Sequence, residues 1–127
     1  MVEARSRGWQ WADAWVLAAI PDPPGGPLST VIGAADVINH AIPTRVELSR
    51  GIGALMAAGL VEVDGDLFRT TVAGWALKEH WGDELFEWSA DLLPELNKLD
   101  RPDDEFPLTD DEVQQAYQRY AKGLRKT

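Results

Sequence analysis

The pattern of apolar and polar positions along the chain predicts a mainly helical protein with one small β-hairpin. Residues 8–20 are apolar on nearly every side, which is typical of a first helix enclosed by the rest of the molecule. The segment PDPPGGP at 21–27 ends this helix and forms a stiff connector, because proline can neither continue a helix nor donate to a sheet. A second helix is predicted over residues 28–41, with Ser29 or Thr30 as its cap. The residues of this helix with the spacing expected of a buried face are Val31, Ala34, Ala35 and Ile38.

The third helix, predicted over residues 45–58, has the clearest boundaries. Thr44 and Glu47 fit the T-x-x-E capping box, and Gly59 is a typical C-terminal stop. Gly51 and Gly53 each weaken a helix interior by about 1 kcal/mol, so we expect another backbone to approach closely here. The positions predicted to be buried are Val46, Leu48, Ile52 and Leu55. The positions predicted to face the other side are Arg45, Ser49, Arg50 and Gly53.

A hairpin and a fourth helix follow the third helix. The stretches LVEV and LFRTT flank Asp64-Gly65-Asp66, a short loop with a glycine available for positive φ. Thr71 is then placed to cap a helix that runs through Trp75, Leu77 and Trp81.

The C-terminal third predicts two more helices separated by an acidic loop. Pro94 is expected to kink or split the first of them, over residues 83–100. Thr109 and Glu112 form a second capping box at the start of the last helix. One face of the first helix either packs on the core or pairs with its copy in a homodimer. That face consists of Leu85, Leu92, Leu96 and Leu99.

Length and composition indicate one soluble domain over residues 1–127. We divide it into a core at 28–82 and an acidic helical extension at 83–127, the candidate dimerisation element. The absence of cysteine excludes disulfides and thiolate metal sites. The apolar run at 14–20 is too short to span a bilayer, so we expect a cytoplasmic protein with no membrane association.

Charge is unevenly distributed along the chain, whose net charge is −9. Residues 83–112 contain twelve Asp or Glu against Lys98 and Arg101, so this stretch alone carries −10. The last fifteen residues are basic. An acidic surface of this kind disfavours polyanionic partners over most of the molecule.

No constellation of residues indicates catalysis or a bound metal. His40 and His80 are the only histidines and lie in different predicted helices, without metal-ligand spacing. The carboxylates of RPDDEF at 101–106 lack the glycine and the ligand spacing of a calcium loop. There is no phosphate-cradling glycine loop and no assignable nucleophile. We therefore expect neither enzymatic activity nor a cofactor. The six tryptophans are either core residues or anchors of a protein interface.

The order helix, helix, helix, hairpin, helix resembles the winged helix-turn-helix domains of bacterial regulators related to the multiple-antibiotic-resistance and phenolic-acid repressor families, and the likeness covers roughly residues 28–77. The likeness is carried by Leu55, Gly59-Leu60-Val61, the Asp64-Gly65 tip, Thr71 and Gly74. In such regulators the third helix enters the major groove and the hairpin, or wing, contacts phosphates. The resemblance implies DNA contacts from Arg45, Ser49 and Arg50 in the helix and from Arg69 in the wing.

The wing departs from that pattern in its charge. Asp66 follows the Asp-Gly pair, where those regulators commonly place an arginine. Residues 28–82 contain four Lys or Arg against six Asp or Glu, so little phosphate neutralisation is available. Two hypotheses follow: a regulator-like protein that binds duplex DNA as a dimer, or a docking module of the same fold that binds a basic protein through its acidic wing.

Overall fold

The computed structural model describes residues 8–78 and 88–126. That part of the chain forms six helices and a two-stranded antiparallel hairpin, which confirms the predicted mainly α class with a small hairpin. Trp81 and the predicted helical start at 83–87 lie outside the described residues. In chain order the elements are α1 (Trp11–Ala19), α2 (Leu28–Asn39), α3 (Arg45–Ala57), β1 (Val61–Asp64), β2 (Leu67–Thr70), α4 (Val72–Lys78), α5 (Trp88–Leu96) and α6 (Asp110–Lys126).

Side-chain caps set the start of three helices as the sequence predicts. Thr44 Oγ1 accepts from Glu47 N–H at 3.1 Å, and Glu47 Oε1 accepts from Thr44 N–H at 2.8 Å. The same reciprocal bonds join Thr109 and Glu112 at the start of α6, at 2.9 and 3.1 Å. Thr71 Oγ1 accepts from the backbone N–H three residues later, at 3.1 Å, and so caps α4. These caps satisfy N–H groups that have no partner within the helix.

The predicted cap of α2 is wrong. This helix begins at Leu28 and its N-cap is Pro27, so Ser29 and Thr30 both lie inside the first turn. The cause is tertiary: Gly26 N–H donates to Phe68 O at 3.1 Å, and Gly26 O accepts from Phe68 N–H at 2.8 Å. The connector is thereby fixed to the hairpin, and the chain enters the helix directly afterwards.

Helix α1 lies at the centre of the core, which explains its apolar character on nearly every side. It packs against α5, α3 and α2, and every residue from Asp13 to Ala19 is buried. Trp15 Nε1–H satisfies its hydrogen bond in this core by donating to Ala35 O at 2.9 Å. In the part of the chain that is described, no helix combines the length and the apolar content needed to cross a membrane.

The predicted leucine face of the fifth helix packs on this core. Leu92 and Leu96 are fully buried, and α5 contacts α1 extensively. Both side chains are therefore used inside one chain, so the homodimer interpretation is wrong for this pair. Leu99 is 39% exposed, and Leu85 lies outside the described residues. Pro94 lies within α5, which continues to Leu96 without a break.

The hairpin is hydrogen-bonded to the proline-rich connector along its β2 edge. Val61 pairs with Thr70 and Asp64 with Leu67 across the two strands. On its other side, Thr70 N–H donates to Pro21 O at 3.0 Å. The proline-rich connector thus lies alongside β2 and holds the hairpin to the end of α1.

A partly buried lysine reinforces this junction. Lys78 Nζ, at the end of α4, donates to Ile20 O at 2.6 Å and lies 3.4 Å from Asp22 Oδ1. Asp22 Oδ1 also accepts from Thr70 Oγ1–H at 3.0 Å. Burial lowers the pKa of Lys78 below its usual range, and the neighbouring Asp22 carboxylate partly opposes that shift.

Candidate functional site

Helix α3, the element expected to read DNA, has one side in the core as predicted. Leu48, Ile52 and Leu55 are fully buried. Val46 was expected to join them but is 50% exposed, because two residues correspond to about 200° around a helix, so Val46 points away from the side formed by Leu48, Ile52 and Leu55. Ile42, four residues earlier, is also exposed.

Part of the outer side of α3, at Ser49 and Gly53, is covered by residues 99–109, a segment between α5 and α6 that we call the strap. Ser49 Oγ–H donates to Phe106 O, and Phe106 N–H donates to Ser49 O at 2.9 Å. Ser49 is only 3% exposed. The expectation that Ser49 faces solvent is therefore wrong. The sequence gives no periodic signal for this layer, because the strap has the composition of a loop.

The strap passes so close to α3 that a side chain at Gly53 would overlap it. A Cβ added there would collide with the backbone of Asp104 and Glu105. Gly53 is buried, so its expected position on the uncovered side is also wrong. The predicted close approach of another backbone is confirmed at this glycine. Gly51, by contrast, packs on the side chain of Val16 in α1.

A buried ion pair fixes the start of the strap. Arg101 Nε lies 2.9 Å from Asp13 Oδ2, and Arg101 Nη2 lies 3.2 Å from Asp13 Oδ1, with both side chains at most 7% exposed. Arg101 Nη2 also donates to Arg50 O at 3.2 Å, on α3. The guanidinium lies over the ring of Trp9, whose Nε1–H donates to Leu99 O at 3.0 Å. One arginine thus joins α1, α3 and the strap.

Two of the three predicted DNA-contacting arginines form ion pairs within the chain. Arg45 Nε lies 3.2 Å from Asp110 Oδ1, at the start of α6. Arg69 Nε donates to Glu62 Oε1 at 2.7 Å, and its Nη2 lies 3.6 Å from Asp64 Oδ2. The hydrogen bond to Glu62 raises the pKa of Arg69 above its usual range. The acidic residues of the hairpin therefore neutralise its own cation.

Arg50 is the remaining candidate for DNA contact. It is half-buried, and no carboxylate within the described residues forms an ion pair with it. With Arg45 and Arg69 paired and Ser49 buried, the four candidates do not form an exposed basic surface.

Helix α6 covers the outer side of α2, next to the strap. Tyr120 O–H donates to Asp36 Oδ2 at 2.6 Å, and the Tyr120 ring lies against Gly33. This hydrogen bond raises the pKa of Tyr120, because the bond exists only while the phenol keeps its proton. Within α6, Val113, Ala116 and Tyr120 are only half-buried, so this helix is attached less deeply than the strap.

Sequence reasoning missed the residues that attach the C-terminal third. The sequence contains two signals that could have identified them. Asp13 is a carboxylate within an otherwise apolar helix, and Arg101 is the only cation among seven carboxylates at 100–112. A buried charge requires a partner, and these two are the natural pair.

Within residues 8–78 and 88–126, no group of three or more His, Cys, Asp or Glu side chains is placed to hold a metal ion. The chain matches no protein-family model, and no curated protein or solved structure matches it. A functional assignment therefore depends on the geometry of the surface described above.

Proposed function

We propose that this chain is a protein-docking module of winged-helix-like architecture that does not read DNA through α3. The observation that carries the proposal is the strap across the outer side of α3, anchored by the buried Arg101–Asp13 pair. A recognition helix must offer side chains to base edges, and here Ser49 binds the strap instead. No enzymatic activity is part of the proposal.

The charges around α3 support the same conclusion. Asp104 and Glu105 of the strap lie against α3 at Gly53, and Asp110 pairs with Arg45 at the start of α3. Non-specific DNA affinity comes mainly from neutralising phosphates with Lys and Arg, so this surface would repel the duplex. Arg69 adds little positive charge to this surface, because it already forms ion pairs with Glu62 and Asp64.

The excess of carboxylates instead favours a basic protein partner. Complementary charge accelerates association and selects the correct partner, while apolar contacts supply most of the affinity. Exposed apolar residues are available near the hairpin, where Leu67 is 38% exposed. A basic segment that also carries an apolar residue therefore fits this surface best.

Two binding measurements on the full chain test the proposal. In a mobility-shift assay with random duplex fragments at about 20 mM salt, where phosphate contacts are strongest, we expect no retained duplex. Against an array of random peptides, we expect saturable binding of peptides enriched in Lys and Arg. Replacing Asp64 and Asp66 together by lysine should weaken that binding, whereas replacing Gln114 and Gln118 together by lysine, at two exposed positions of α6 outside the acidic segment, serves as the control.

The DNA-binding alternative makes the opposite prediction. It requires duplex retained at low salt, lost as salt increases and lost in Arg50→Ala. That result, together with the absence of peptide binding, would overturn the proposal.

A further inference from the structure

A cleft of about 290 Å³ lies where the hairpin, the start of α2, the end of the strap and α6 meet. Its apolar lining comes from all four of these elements, through Leu28, Phe68, Phe106, Leu108 and Ala116. A drug-sized ligand site usually measures about 300–1,000 Å³, so this cleft is sized for one or two side chains of a larger partner.

The walls of the cleft are held in place without a ligand. Phe68 is 5% exposed and its ring meets that of Phe106 edge to face, with centroids 5.7 Å apart. Phe68 is fixed by its backbone pairing with Gly26, and Phe106 by its two hydrogen bonds to Ser49. A preformed site of this kind loses little entropy on binding.

The rim of the cleft carries charges of both signs. Asp66 at the hairpin tip, Glu112 at the start of α6 and Arg119 further along α6 all line it. None of the three has an ion-pair partner among the described residues, although Glu112 also caps its helix. Glu112 and Arg119 are seven residues apart in α6, which corresponds to roughly 10 Å along the axis.

We propose that this cleft binds an extended segment of another protein that carries a Lys or Arg, an apolar anchor and an acidic residue in that spacing. The basic residue faces Asp66 and Glu112, the anchor enters the apolar floor, and the carboxylate faces Arg119. In the polyproline II form of an extended chain, three residues make one turn and advance about 9 Å, so two charges three positions apart face the same side, with the anchor between them. The inference rests on the proposed docking function and assigns it a site.

Peptides with the fixed centre K-x-L-E and randomised flanks provide the test. We measure the dissociation constants of the strongest array members by fluorescence polarisation with the full chain, and expect saturable binding below about 1 mM. Peptides with E-x-L-E or K-x-S-E centres should bind at least tenfold more weakly, because each removes one of the proposed contacts.

Two variants locate the binding on the molecule. Ala116→Trp fills the cleft and should weaken binding at least tenfold. Ala57→Trp changes an exposed alanine at the end of α3 and should leave binding unchanged. Asp66→Lys should weaken K-x-L-E peptides and strengthen E-x-L-E peptides several-fold, a reversal that misfolding cannot produce. Backbone chemical-shift changes in the unmodified chain should centre on Asp66, Phe106, Leu108 and Ala116.

Two results would overturn the assignment. The first is peptide binding that Ala116→Trp leaves intact, with chemical shifts that change elsewhere. In that case the docking function stands and the cleft is the wrong site. The second is the absence of saturable binding by any peptide of any pattern, which would remove the docking function as well.

Discussion

The strap and helix α6 both belong to the C-terminal third and lie against α3 and α2 respectively, but they are attached by different interactions. The strap is held by a buried ion pair, by two hydrogen bonds to Ser49 and by a backbone contact at Gly53. Helix α6 is held by half-buried side chains, by a hydrogen bond from Tyr120 to Asp36 and by the solvent-exposed ion pair of Arg45 with Asp110.

This difference separates a permanent part of the fold from a helix that is less firmly attached. Removing one partner of a buried ion pair leaves an uncompensated charge, whereas a half-buried hydrogen bond contributes only modestly. The strap should therefore separate from α3 only when the protein unfolds. Helix α6 should detach locally at a lower free-energy cost.

The largest expected effect is at Arg101. Arg101→Ala leaves the Asp13 carboxylate buried without its partner, so the free energy of unfolding should fall by about 3–5 kcal/mol. Denaturant unfolding followed by tryptophan fluorescence measures this change. Arg119→Ala, at an exposed arginine of α6, is the matched control and should change stability by less than about 0.5 kcal/mol. A loss of similar size in both variants would show that the strap is not specially anchored.

The next prediction compares two helical glycines, at which replacement by alanine should change stability in opposite directions. Gly53→Ala should destabilise the protein by about 1–3 kcal/mol, since the new methyl group overlaps the strap backbone. Gly123→Ala lies in α6, where a Cβ meets nothing within 4 Å, and should stabilise by about 0.5–1 kcal/mol. Unfolding curves of the two variants measure both changes in stability. Stabilisation of the protein by both replacements would mean that the strap backbone can move away from Gly53 at little cost in free energy.

The smallest effect concerns the attachment of α6. Tyr120→Phe removes the hydrogen bond to Asp36 and should lower the free energy of unfolding by about 1 kcal/mol. In this variant the amide protons of α6 should exchange faster than those of α3 or the strap. Tyr117→Phe, at a tyrosine that is 39% exposed, is the control and should have little effect. Unchanged exchange in α6 of the Tyr120→Phe variant would contradict the view that this bond holds the helix.

The same bond predicts a pH dependence. Because the folded-state pKa of Tyr120 is raised above 10.0, its stabilising contribution is complete below that pH and is lost as pH rises through the folded-state pKa. The stability difference between the unmodified chain and Tyr120→Phe should therefore narrow in alkaline solution. Urea unfolding of both proteins from about pH 8 to pH 11 measures the difference.

Much of the fold could be predicted because its signals are local. The reciprocal caps at Thr44 and Thr109 depend on residues three positions apart, and the hairpin on a short loop with a central glycine. Leu48, Ile52 and Leu55 share a helical spacing that identifies the core side of α3. In each case the interacting residues lie within one element, so their spacing alone is informative.

The candidate site could not be predicted in the same way. Ser49 has the polarity and spacing of an exposed helical residue, yet Phe106, 57 residues later, buries it. Val46 is apolar, yet its place two residues before Leu48 puts it on the opposite side of α3, where it is 50% exposed. The error at Ser49 arises because exposure depends on which distant segment covers a position, whereas the error at Val46 arises from assigning an apolar residue to the core against its helical spacing.

The sequence by itself determined the mainly helical class, the hairpin, the main core positions and the acidic character of the C-terminal third. Tertiary structure alone decided that this third lies across α2 and α3, and that Arg45 of α3 and Arg69 of the hairpin form ion pairs inside the chain. The physical reason is the separation along the chain between the residues that interact. Caps, turns and helical periodicity act between neighbours, whereas the Arg101–Asp13 pair joins charges 88 residues apart whose partnership exists only once the chain has folded.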